Sequence, residues 1–107
     1  MPVNTAIGMN EAVINGDRDL LQEMRMVPHA HRVLGMENDV PTSAKVLGMA
    51  TIGGTKTTAC GDTIGALGLG RAAGIVLVDW EQVSFRYLDS EKSLVDAMLQ
   101  RAETSDV

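Results

Sequence analysis

Apolar positions along the chain fall into three helical stripes and two short strand-like runs. Val3 to Gly8 is short, apolar and partly β-branched, and reads as a strand with no preceding partner in sequence. Asn10 to Gly16 is a loop, with Asn15-Gly16 as its turn signal. Asp17 caps the first predicted helix, because a carboxylate there can accept from the free N–H groups of the first turn. Leu20, Leu21, Met24 and Val27 recur at helical spacing along it. Pro28 interrupts the stripe; inside a helix it removes one hydrogen bond and clashes with the preceding turn, at a cost of roughly 3 kcal/mol. The spacing therefore predicts either a kink at Pro28 or a helix that stops near Met26.

Gly35 to Asp39 is a polar loop, and Pro41 fits the first position of a second helix, where its missing N–H costs nothing. Ala44, Val46, Leu47 and Ala50 carry that helix to Gly53-Gly54, which is expected to end it. Thr55 to Leu69 is rich in Gly and Thr and reads as loop and turns. Ile75 to Val78 is a compact apolar strand between Gly74 and Asp79, and Val83 to Tyr87 is a short extended piece. Asp89, Ser90 or Ser93 caps a third helix, with Leu94, Val95, Met98, Leu99 and Ala102 on one face. Two strands do not make a stable sheet alone.

Composition sharpens this picture. The 107 residues suit one small domain or part of a larger one. Trp80, Phe85 and Tyr87 are the only aromatic residues, so seven Met and many Ala, Val and Leu must fill the core. A formal net charge of −5 argues against a nucleic-acid surface, and no polybasic run is present to hold an anionic membrane. No apolar run approaches the ~18 residues that span a bilayer. The N-terminus shows no basic region followed by an apolar core, and the single Cys60 fits a reducing compartment, so the expectation is cytoplasmic.

Several residues invite a chemical reading. His29-Ala30-His31 would share an ion on a strand, but on a helix positions i and i+2 point about 200° apart, so these are expected to be helix-end histidines. Cys60 has no nearby His to activate it and is expected to be inert. Gly65-x-x-Gly68-x-Gly70 lacks the P-loop Lys-Ser/Thr and is expected to be a turn leading into a strand. Asp17-Arg18-Asp19 with Glu23 and Arg25 reads as a solvated helix face, and Trp80 as packing at a strand end.

The stretches Val46-Leu47-Gly48-Met49-Ala50-Thr51, Gly61-Asp62-Thr63-Ile64-Gly65-Ala66-Leu67 and Gly70-Arg71-Ala72-Ala73-Gly74-Ile75-Val76-Leu77-Val78-Asp79 resemble, in this order, the amidohydrolase superfamily. The cytosine-deaminase-like and chlorohydrolase-like members are the most similar. Upstream, Gly8-Met9-Asn10-Glu11-Ala12 and Asn15-Gly16-Asp17-Arg18-Asp19-Leu20-Leu21-Gln22-Glu23-Met24-Arg25 resemble one subgroup, so the likeness covers nearly the whole chain.

The resemblance implies an α/β fold: the C-terminal fragment of a (β/α)8 TIM barrel plus part of a small β-sandwich. Residues 1–56 would supply the last barrel strand and the helices after it. Residues 57–107 would supply part of the composite β-sandwich and a terminal helix. It also implies a divalent metal, zinc or iron, and hydrolysis of a non-peptide C–N bond in a small nitrogenous ring, as in a deaminase. Asn10 takes the position of the family's metal-binding, proton-transfer Asp, and Glu11 that of a supporting Glu. An amide has neither the charge nor the basicity for that task, so proton transfer through position 10 is expected to be impaired. Gly16, Gly68 and Gly74 likewise stand where the family carries acids. The isolated chain is expected to be inactive. The alternative is a non-catalytic module that pairs with itself or with a chain carrying the rest of the barrel.

Overall fold

The computed structural model describes residues 3–9, 19–32, 34, 40–85 and 93–107. Helix α1 runs Leu20–Ala30 and is capped by Asp19, whose Oδ1 accepts from the N–H groups of Leu21 (2.9 Å) and Gln22 (3.3 Å). The cap expected at Asp17 thus falls two residues later, where a carboxylate reaches the open first turn. Pro28 lies inside α1, which continues for two more residues rather than stopping near Met26. Only the Met24 carbonyl loses its helical N–H partner there, because that partner would be residue 28.

Helix α2 runs Ser43–Ala50 with Thr42 as its cap, its Oγ1 accepting from Lys45 N–H at 3.3 Å. Pro41 therefore precedes the cap instead of opening the helix. Gly53-Gly54 does not end the helical stretch as expected. Thr51 breaks it, with a backbone outside the helical region and a hydroxyl that donates back to the Leu47 carbonyl at 2.8 Å. Helix α3, Ile52–Lys56, restarts at once and contains both glycines.

Helix α4, Trp80–Ser84, lies where an extended piece from Val83 was expected. Asp79 caps it, accepting from the N–H groups of Glu81 (3.0 Å) and Gln82 (3.4 Å). Asp79-Trp80-Glu81-Gln82 carries the spacing of an N-terminal capping sequence, which the apolar run before it masked. Helix α5, Leu94–Arg101, takes Ser93 as its cap, one of the three candidates. Ala97 rather than Leu94 joins its buried face; Leu94 is exposed. A single 3₁₀ turn, Thr104–Asp106, follows.

The core forms where α1, α2 and α5 meet pairwise. Met24, Val46 and Leu99 are its buried centre, with Ile7, Leu21, Val27, Leu47, Ala50, Val95 and Met98 packed around them. The packed residues are aliphatic or thioether throughout, as the scarcity of rings required. Helix α4 packs on α5 through buried Val83.

No strand occurs among the described residues. Residues 3–9 and 72–79 are without regular structure, and neither finds a ladder partner, which is what makes an apolar run a strand. Ile75, Val76 and Leu77 are 60%, 69% and 80% exposed.

Candidate functional site

Asn10 and Glu11 lie outside the described residues, as does the Asn15-Gly16 turn. What is described is how the segment leading to them is held. Ile7 N–H donates to the Met49 carbonyl at 3.3 Å, and the Asn4 side-chain amide donates to the Gly53 carbonyl at 3.0 Å. Residues 3–9 are therefore pinned at two points to the α2–α3 break. The approach is close: a Cβ built on Gly53 would sit 2.5 Å from the Thr5 carbonyl oxygen and 3.2 Å from that of Gly48. Only a residue without a side chain leaves room for the backbone there.

The two histidines are placed at the end of α1. His29 Nδ1 pairs with the Arg25 carbonyl (2.9 Å) and His31 Nδ1 with the Val27 carbonyl (2.8 Å), each one helical turn back. Each ring is thus turned to its own carbonyl, in keeping with helix-end histidines. Among the described residues no three His, Cys, Asp or Glu side chains converge on a point where an ion could be held. Those residues do not fit a metal centre by themselves, since a bound ion needs several converging ligands.

Cys60 is exposed in a turn, and its carbonyl accepts from the Thr63 hydroxyl at 3.0 Å. The glycine-rich stretch is a turn, as expected, although no strand follows it. Gly65 and Gly70 both take positive φ, at 92° and 80°. The Arg71 guanidinium closes the turn by donating to the Ile64 carbonyl at 3.2 Å, and Ala72 N–H donates to the Thr63 carbonyl at 2.8 Å.

The solvated face expected around Asp19 and Arg25 is instead partly committed. Arg25 donates through Nε to the Leu99 carbonyl (3.1 Å) and through its terminal nitrogen to the Ala102 carbonyl (2.7 Å). It thereby ties α1 to the end of α5, where the last carbonyls have no helical partner and the dipole favours a cation. Nothing local in the sequence signals this bond across more than 70 residues. An open cleft of about 490 Å³ lies beside it, lined by Asp19, Gln22, Arg25, Glu103, Thr104 and Ser105. Its charged groups already serve the fold: Asp19 and Glu103 accept from backbone N–H groups, and Arg25 holds α5.

No family model matches the chain. Among curated proteins it is similar to two enzymes named 5-methylthioadenosine/S-adenosylhomocysteine deaminase. The one from Syntrophobacter fumaroxidans is 30% identical over 105 residues, 98% of this chain and 23% of the relative. The one from Acetivibrio thermocellus is 28% identical over 105 residues, 98% of this chain and 24% of the relative. An S-triazine hydrolase from Gordonia rubripertincta is 31% identical over 77 residues, 72% of this chain and 16% of the relative. The chain spans about a quarter of the length of the deaminases it matches.

Proposed function

Because the chain belongs to the amidohydrolase superfamily, we propose that it is part of a hydrolase acting on non-peptide C–N bonds, deaminase-like, with a small nitrogenous ring as substrate. The observation that carries this reading is the match of 98% of the chain to deaminase sequences. In this reading residues 1–56 contribute the last strand and following helices of a (β/α)8 barrel, and residues 57–107 part of a small β-sandwich. The double anchoring of residues 3–9 on the α2–α3 break supports the first assignment, since it fixes the segment whose far end is position 10. Catalytic groups of such barrels sit at the C-terminal ends of the strands. The complete enzyme would hold a divalent ion, zinc or iron, and would be cytoplasmic. No helix among the described residues is long and apolar enough to cross a membrane.

Within this chain the position that would face the chemistry is Asn10, with Glu11 beside it in a supporting place. An amide cannot take up a proton at neutral pH, so this chain supplies no base there. The test is a chimera of the Syntrophobacter fumaroxidans deaminase in which this chain replaces the matching stretch. Ammonia release from 5-methylthioadenosine is measured with Asn10 and with Asn10→Asp. The Asp form is expected to be faster by roughly 10²- to 10⁴-fold, the usual contribution of a positioned acid–base group. Equal rates would remove position 10 from the reaction. A folded chimera inactive in both forms would remove the deaminase reading itself. The 107-residue chain alone is expected to release no ammonia.

A second reading, a non-catalytic module that pairs with a polypeptide carrying the rest of the barrel, is favoured by one observation. Ile75 to Leu77 present apolar side chains to solvent, and no backbone hydrogen bond holds residues 75–78 among the described residues. Such a segment is a template for strand addition. Size-exclusion chromatography separates the readings: a clean folded monomer at high concentration counts against an obligate partner.

A further inference from the structure

No further inference is drawn: the strongest candidate, the cleft of about 370 Å³ where His29 and Arg32 at the end of α1 stand near Thr42 and Ser43 at the start of α2, rests on a helix N-terminus with no second observation pointing to a ligand, Arg25 being committed to the α5 carbonyls and Asp96 lining the same cleft against an anion.

Discussion

Arg25 and Gly53 show how single residues hold this small fold together. Arg25 satisfies two carbonyls at the end of α5 with one side chain. Replacing it by Met keeps much of the aliphatic stem but leaves both acceptors in a partly buried place without their donor. Hydrogen bonds to a charged group are worth about 1.5–3 kcal/mol, so Arg25→Met is expected to cost about 2 kcal/mol in urea unfolding. Arg25→Lys should recover only part of this, because one ammonium cannot match a forked donor aimed at two oxygens. Gly53 offers a sharper comparison, since its neighbour Gly54 has the same chemistry and a different environment. A methyl on Gly54 meets only the Met49 carbonyl at 3.7 Å, ordinary contact, so Gly54→Ala should stabilise by a few tenths to about 1 kcal/mol through helix propensity. The same methyl on Gly53 meets backbone oxygen at 2.5 Å, and the overpacking cost of about 1–3 kcal/mol outweighs the propensity gain. Gly53→Ala is expected to lower stability and to speed hydrogen exchange at the Ile7 amide. Unchanged exchange at Ile7 would show that residues 3–9 are not held by this approach.

At the level of elements, the three main helices were legible because their apolar residues recur at helical spacing and polar caps precede them. What was not legible followed from competition between neighbouring signals. Gly53-Gly54 is a strong stop signal, yet α3 continues through it because the close passage of residues 3–9 demands small residues there. The Asp79 cap is masked by the apolar run Ile75 to Val78 before it, and such a run cannot report whether another strand lies beside it. Pro28 works against its own helix. Pro28→Ala restores the N–H that the Met24 carbonyl lacks, and relief of the clash is offset by the greater freedom of the unfolded chain. A net gain of about 1–2 kcal/mol is expected, which for a chain of this size raises the thermal midpoint by roughly 5–15 °C. An unchanged midpoint, measured by circular dichroism at 222 nm, would mean that α1 has already adapted to the proline.

For the molecule as a whole, the sequence marked the apolar faces of the three helices but not how they meet. Its apolar content is sufficient for a core, and periodicity places Met24, Val46 and Leu99 inside it. Periodicity does not reveal that Leu67, Leu69 and the Ile75 to Leu77 run would remain outside, since burial of a strand-like run depends on partners that no local pattern encodes. The candidate site was legible only as a position within a family pattern. Position 10 is named by its neighbours in sequence, whereas convergence of ligands is a property of three dimensions. The exposed run makes a direct prediction. Leu77→Asp puts a charge on a side chain that is 80% exposed, so the helical signal should be unchanged and the stability of the chain should stay within about 0.5 kcal/mol of the parent. Concentration-dependent association, followed by light scattering, should fall sharply. Association that persists in Leu77→Asp would place the adhesive surface elsewhere.

A core with a thioether among its buried centre has a chemical weak point that a purely aliphatic core lacks. Met26 is 54% exposed and can be oxidised harmlessly, while Met24, two residues before it and so about 200° away around the helix, is 4% exposed at the junction of three helices. Conversion of Met24 to its sulfoxide would set a polar oxygen against the aliphatic side chains of Val46 and Leu99. Peroxide should therefore act in two stages on this protein, first marking the surface silently and then, at each transient opening of the helix junction, trapping the chain in an unfolded form that only reduction of the sulfoxide reverses.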